Sequence, residues 1–550
     1  MYLTYDIKSI QSFIFRIPRL RDIVGGSALV DYFDRKEAKA FEVKGVVNHL
    51  FSGGGKGAFS CQDKAVALKL RDQLLKKAHE FGFDIAFGCN SDYSEAAHCA
   101  DDLFPFLPLQ MEGHPCPESG LYPVNDNRPL AEREEHDMVK LRRAEKYRFH
   151  YEQEFRKDLR LPSHLSQYEP VFFHDVDGAS QAKVSRQPNL HDGRCGAEAI
   201  GGRNRWAIVA MDGNDMGAQF RKQSEKFNHQ IPQEWIRHMS QELDRITRTA
   251  FLAGLQTVID SWGQDEKDGK KECVHKNALH LPIRPLVVGG DDIIVLCHGS
   301  YGLEFVKAVC KSFRETSAKA HQEWKGHAQN QQKTELWPAT GGELTISAGV
   351  LFAPVSLPLA TAIPYAESLL ASAKHRGRSE AQGEGKPSPE CLDWEFITSS
   401  LLEHPATSRQ RDFLFIDEDL NEEVSLTCRP YTLKNFLELE NLCDRYAKKD
   451  EFPRQLVHQT MVELNKSYWQ RRVYMARIAK SHPALYEDLF EPEDLGKKHS
   501  SRWQVSRVVS GKKGEGAQKG RETDVLDALL LLEEGHRMSK TTAFGSRSLK

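Results

Sequence analysis

Leu286-Val287-Val288-Gly289-Gly290-Asp291-Asp292-Ile293-Ile294-Val295-Leu296 sets two branched apolar runs around a Gly-Gly-Asp-Asp centre. Such a pattern predicts a tight β-hairpin. The glycines let the chain turn where φ is positive, and they leave room for an approaching ligand. Asp291 and Asp292 then stand at the tip of a rigid sheet. Adjacent acids repel one another, so folding gains little from them. A divalent cation between them removes the repulsion, and oxygen-only ligands suit Mg²⁺ or Mn²⁺. Taken alone, the tetrapeptide fits a solvated Gly-Asp turn equally well.

A second stretch decides between these. Trp206-Ala207-Ile208-Val209-Ala210-Met211-Asp212 is an apolar strand that ends in an acid, followed by Gly213-Asn214-Asp215-Met216-Gly217. An acid at a strand's end, beside an acidic hairpin on a neighbouring strand, is the arrangement by which palm domains hold two metal ions for phosphoryl transfer. Leu344-Thr345-Ile346-Ser347-Ala348-Gly349-Val350-Leu351 supplies a further strand, and a helix over residues 362–375 carries Lys374. The order strand, helix, acidic hairpin, helix, strand, helix predicts a ferredoxin-like palm in an α+β chain.

The 212–217 turn, the Gly289-Gly290-Asp291-Asp292 hairpin, the Ser347-Ala348-Gly349 strand and Ala373-Lys374 occur in that order and at palm spacing. Together they resemble the second palm of the large subunit of type III CRISPR effector complexes, a family related to GGDEF-type diguanylate cyclases. The family turn has Asp where this chain has Asn214 and Asn where it has Asp215, whereas Asp212 keeps its place. The resemblance makes Asp212, Asp291 and Asp292 the metal ligands and catalytic acids.

The first ninety residues read as a degenerate copy of the same palm (1–90). A strand opens at Tyr2, and Gly25-Gly26-Ser27 is expected to start a helix whose free N–H groups and dipole favour an anion. Gly53-Gly54-Gly55-Lys56-Gly57 lies between two apolar stretches, a strand-turn-strand with a lysine where the acids would be. By itself this is most simply a flexible glycine hairpin. The segment resembles the family's first palm, whose corresponding turn binds nucleotide phosphates without metal. On that resemblance Gly26, Ser27, Gly54, Gly55 and Lys56 join Gly289, Gly290, Ser347 and Lys374 as nucleotide-binding residues.

Residues 91–204 are less regular. A long amphipathic helix is expected over 132–160; its charges are most simply a solvated face, with RNA contact the second use. Cys89, His98, Cys99, His114 and Cys116 cluster loosely, and the family often carries a small zinc insert at this place. His114-Pro115-Cys116-Pro117-Glu118-Ser119-Gly120 has Ser119 where a knuckle's second cysteine would stand, so unligated thiols are favoured over zinc. The second palm is expected over 205–380, a linker to 389, and a helical domain over 391–550 that ends in a basic link and a short leucine-rich helix. The family's HD nuclease domain is not expected. The pairs His136-Asp137, His174-Asp175 and His191-Asp192 fall between the palms, without the context a nuclease needs.

Composition bounds the rest. The chain has 550 residues, 28% charged and 40% hydrophobic, as in ordinary globular proteins of three or four domains. A net charge of −3 argues against gripping nucleic acid with the whole surface, yet 75 Lys and Arg leave scope for a local basic groove. The 11 cysteines include no CxxC pair, which favours reduced thiols and a cytoplasmic setting. No apolar run is long enough to span a bilayer, so no membrane partner is expected.

Three functions compete. The resemblance implies a crRNA-guided subunit that joins ATP into a cyclic oligoadenylate or related messenger when target RNA pairs. A silent scaffold subunit is opposed by the retention of both Asp291 and Asp292. A stand-alone cyclase of the diguanylate type is opposed by two unlike palms in one chain. Joining AMP to some other acceptor also stays open.

Overall fold

Two sheets with the same strand order organise the chain. In the first palm, Tyr2–Ile7 (β1) is followed by two helices, Ile10–Phe15 (α1) and Leu20–Tyr32 (α2). The hairpin Val47–Gly53 (β2) and Lys56–Cys61 (β3), the helix Lys64–Phe81 (α3) and the strand Ile85–Asn90 (β4) complete it. The sheet runs β2-β3-β1-β4 and is antiparallel throughout. α3 has sharp ends: the Asp63 side chain accepts from Val66 N at 2.8 Å, and Gly82 closes it at φ +73°. A further helix, Tyr93–Asp102 (α4), packs on β4 and β1.

The computed structural model describes residues 1–15, 20–102, 114–115, 123–124, 145–172, 205–219, 233–267, 274–275, 278–329, 343–354, 357–381, 387–397, 403–417, 422–447, 459–460, 462–463, 468–483, 503–506, 520–523, 527–528 and 530–531. Of the helix expected over 132–160, the described part is Glu145–Arg156 (α5), which packs on α2. The expected zinc leg beyond Pro115, all three His-Asp pairs and most of the leucine-rich tail lie outside the described residues.

The second palm repeats the plan. Arg205–Gly213 (β6, after a short strand Glu169–Phe172, β5) leads to the long helix Gln233–Lys267 (α6). After Ala278–Leu281 (β7) come Ile283–Gly289 (β8) and Asp292–His298 (β9). Gly302–Gln329 (α7), Ile346–Pro354 (β10) and Leu359–Glu380 (α8) follow. Within the sheet, β8-β9-β6-β10 is the same order as β2-β3-β1-β4, the ferredoxin-like order. β6 is apolar at nearly every position because a central strand is buried on both faces.

Beyond 390 the described residues hold strands as well as the expected helices. Cys391–Phe396 (β11) pairs in parallel with β10 and extends the palm's sheet, and Tyr431–Thr432 pairs with β11 in turn. A second small sheet contains Leu414–Asp417, Glu422–Ser425, Trp503–Ser506 and Gly520–Thr523. Helices there include Leu433–Ala447 and Tyr468–Ser481, so the described part of the region is mixed α and β. The β11 sequence alternates Leu392, Trp394 and Phe396 with Asp393 and Glu395, a strand's period of two. Asp393 is fully buried because Arg409 reaches it through two hydrogen bonds of 2.7 Å.

Candidate active site

Strand register brings the acids together. Asp292 opens β9 directly opposite Asp212, and Ser347 lies opposite Asp212 on its other side. The β8–β9 turn is tight: Gly289 pairs with Asp292, and Gly290 takes φ +63°. Carboxylate oxygens of Asp212, Asp291 and Asp292 all lie within 4.8 Å of one another. Burial pushes Asp291 up to about 7, and the neighbouring Asp212 charge adds to the shift. Burial also raises Asp292 well above an ordinary carboxyl, followed by the charges of Asp212 and Asp291. Lys374 Nζ is hydrogen-bonded to Asp212 Oδ2 and donates to the Gly213 carbonyl at 2.9 Å.

Lys374 reaches the acids because α8 lies almost on the strand. A Cβ at Gly349 would sit 2.3 Å from both Ala366 O and Leu370 N, so only glycine permits this approach. The first palm shows the same contact, where a Cβ at Gly88 would meet Ala96 O of α4 at 1.8 Å. Gly88 pairs with Thr4 as Gly349 pairs with Ala210, which fixes the correspondence between the palms.

By that correspondence Asp6 matches Asp212, and Lys56, its partner across the strands, matches Asp292. Lys56 Nζ lies 3.8 Å from Asp6 Oδ1, and Lys8 Nζ lies 2.6 Å from Asp6 Oδ2. Lysines thus neutralise the acid that remains. The two glycine turns meet across the interface: a Cβ at Gly289 would lie 3.8 Å from Gly54 N.

Between the palms lies a cavity of about 390 Å³ with walls from both. Ser27, Gly53, Gly54, Gly289, Asp212, Asp292 and Lys374 line it. Gly26, Gly55, Lys56, Gly290, Asp291 and Ser347 are not in its lining. Three of the expected roles change on local grounds. Gly26 and Ser27 sit in the middle of α2, buried, not at its N-terminus, because the apolar helical pattern continues through the glycines from Ile23 to Leu29. Ser27 therefore offers the cavity a side chain; its Oγ is buried and takes no hydrogen bond among the described residues. Ser347 is fully buried, and its Oγ accepts from Cys391 N at 3.1 Å, so it ties β10 to β11. Lys56 faces Asp6, as above.

The same wall holds residues that the sequence did not single out. Asp34 is buried: Oδ1 accepts from Tyr5 OH at 2.7 Å and Oδ2 from Gly55 N at 2.8 Å. Burial pushes its carboxyl up to about 7, against the lowering effect of those two bonds. Asp34 thus fixes the first glycine turn. Arg35 bridges the palms, 2.7 Å from Asp31 and 2.7 Å from Asp244 of α6. These partners are far apart in sequence, and no local pattern marks them. Asp215 points elsewhere: at φ +56° it pairs with Arg378 at 3.4 Å and accepts from Ser388 Oγ.

These features define a palm domain with a three-acid centre facing a second, acid-neutralised palm. Residues 205–381 match the family model described as Cas10/Cmr2, second palm domain. No curated protein matches the chain. Among solved structures, the chain is similar to that of a Csm1–Csm4 cassette in complex with cA4, at 12% identity over 98% of this chain and 69% of that one, with a TM-score of 0.45. It is also similar to a chain of the Csm1–Csm4 subcomplex in the type III-A CRISPR-Csm interference complex, at 12% identity over 97% of this chain and 69% of that one, with a TM-score of 0.46. A Csm1–Csm4 cassette in complex with one ATP matches at 14% identity over 68% of this chain and 53% of that one, with a TM-score of 0.36. No described helix is long and apolar enough to cross a membrane.

Proposed function

We propose that this chain is the large subunit of a type III CRISPR effector complex and joins ATP into a nucleotide messenger, a cyclic oligoadenylate or a related product. The observation that carries this is the cluster of Asp212, Asp291 and Asp292, of which Asp212 and Asp292 line a cavity walled by both palms. The donor set is all carboxylate oxygen, which fits Mg²⁺ or Mn²⁺; burial and the neighbouring acids disfavour the ionised form of Asp291 and Asp292, and a cation would favour it. When bound, such ions lower the pKa of an attacking ribose hydroxyl and stabilise the pyrophosphate leaving group.

The chain's own residues do the rest. Lys374, steadied by Asp212 and the Gly213 carbonyl, offers its ammonium to phosphate oxygens entering the cavity. Gly54 and Gly289 leave backbone without side chains where the two turns meet, so phosphates can approach closely. Asp34 holds the first turn in place through Gly55 N. Two facing palms allow one nucleotide to be presented to another, which replaces a bimolecular encounter by orientation.

The test is product formation from ATP and Mn²⁺ by the assembled complex with target RNA. The double variant Asp291→Ala, Asp292→Ala should make no product while keeping a normal unfolding profile. Undiminished product from that variant would sink the assignment.

A further inference from the structure

α8 presents one stripe to the cavity: Glu367, Leu370, Ala371 and Lys374, at i, i+3, i+4 and i+7. Lys374 marks the phosphate end through its contact with Asp212. Glu367 stands two helical turns away, about 10 Å along the axis. That span suits the distance from a nucleotide's phosphates to its base. Between them the wall is apolar, with Leu370 and Ala371 on the helix and Met211 and Ile294 from the sheet.

Glu367 is the polar group at the far end of this stripe. Its Oε1 is buried and accepts no hydrogen bond among the described residues. A buried carboxylate oxygen without a donor is costly, so the position is unfavourable for folding alone. It does not belong to the group of acids that could share a metal ion, which comprises Asp212, Asp291 and Asp292 among the described residues. A carboxylate would repel a phosphate. What it suits is an N–H donor on a flat ring lying in the apolar slot.

Building on the nucleotidyl-transfer reading above, we infer that Glu367 is the specificity-determining residue for the nucleobase. Its carboxyl accepts a hydrogen bond from the exocyclic 6-amino group of an adenine whose phosphates lie at Lys374. A 6-oxo purine would set a lone pair against the carboxyl oxygen, and a purine without a 6-substituent would leave it unpaired.

Equilibrium competition against labelled α,β-methylene-ATP, on the full chain with Mn²⁺, tests this. The competitors are ATP, ITP, purine riboside triphosphate and 2′-deoxy-ATP. The wild-type chain should prefer ATP over purine riboside triphosphate by about ten-fold or more, the effect of one lost hydrogen bond to a buried group. Glu367→Leu should bring that ratio close to one and leave the ratio of ATP to 2′-deoxy-ATP unchanged. Glu367→Gln keeps a carbonyl acceptor and should retain the preference. These are affinity ratios on one sample, so a reduced folded fraction does not affect them. A wild-type ratio near one overturns the inference without any variant. So does a ratio unchanged in Glu367→Leu, or a change confined to 2′-deoxy-ATP, which would assign the carboxyl to the ribose. A wild-type chain that binds no nucleotide overturns this inference and the nucleotidyl-transfer reading together, whereas binding without base discrimination overturns this inference alone.

Discussion

Asp212 and Asp215 are three positions apart in one turn, and the structure gives them opposite surroundings. Asp212 faces Asp292 across the strands, whereas Asp215 is turned by its positive φ towards Arg378 and Ser388. Asp212→Asn should therefore lower product formation by about a hundred-fold or more, as loss of a charge at the reacting centre does. Asp215→Asn should have a smaller effect, visible mainly in thermal stability. Kinetics of the two variants side by side check the order. The acids also set a pH dependence for the metal-free chain. Asp34, Asp291 and Glu390 are each raised by burial to about 7. A raised carboxyl binds more protons in the folded than in the unfolded state between its two pKa values. Stability should thus fall as pH rises from about 4 through about 7 and level off above that. Scanning calorimetry without metal checks the direction, and Mn²⁺ should raise the unfolding temperature more at pH 8 than at pH 6. The acid cluster was legible in the sequence because strand ends and a glycine hairpin carry it. Asp34 and Glu367 were not, because nothing local distinguishes a buried functional carboxyl from a solvated one.

Helix α5 is joined to the strand behind the acidic hairpin by a buried ion pair. Arg284 Nη2 of β8 lies 2.7 Å from Glu152 Oε1, with the Arg284 side chain 0% and the Glu152 side chain 3% exposed. Arg284 also lies over the Phe172 ring at 5.5 Å, and burial lowers its pKa against the pull of Glu152. Breaking such a pair on one side leaves an uncompensated buried charge. Glu152→Gln should destabilise the chain by about 3–5 kcal/mol, read from denaturant unfolding. Glu152→Leu combined with Arg284→Met should recover part of that loss, because a buried pair is worth little over apolar packing, whereas Arg156, 2.6 Å from Glu152, still loses this contact. The palm elements could be read from apolar runs and turns, since their periodicity survives burial. The Gly25-Gly26-Ser27 run misleads in isolation: small residues serve a helix start and a closely packed helix middle equally well. Strand β11 was hidden for another reason. Its acids at 393 and 395 look solvated until Arg409, from a later helix, is placed beside them.

The cavity exists only while the palms hold their mutual position, and polar ties set that position. Arg35 spans Asp31 and Asp244, Arg248 reaches back to Asp31 at 3.2 Å, and Arg237 donates to the His49 carbonyl. The Arg35 and Arg237 side chains are 31% and 42% exposed, so these ties are of the adjustable kind. A partner can shift the palms only by binding one arrangement better than another. A ten-fold rise in rate through the population of the competent arrangement needs about 1.4 kcal/mol of differential binding. Two exposed apolar side chains are candidate contacts for such a partner: Phe149 on α5, 55% exposed, and Val473 on the helix Tyr468–Ser481, 54% exposed. On the function proposed above, the isolated chain is expected to turn over ATP slowly, and a complex of the chain with effector subunits and crRNA to speed up at least ten-fold when matching target RNA is added. Charge reversal at Arg35, by Arg35→Glu, should uncouple the two by loosening the contact with Asp31 and Asp244, so that target RNA no longer raises the rate. Product formation by the isolated chain and by the complex, each with and without target, measures all of this. Full activity in the isolated chain, indifferent to RNA, would instead assign the palms to a stand-alone messenger synthase.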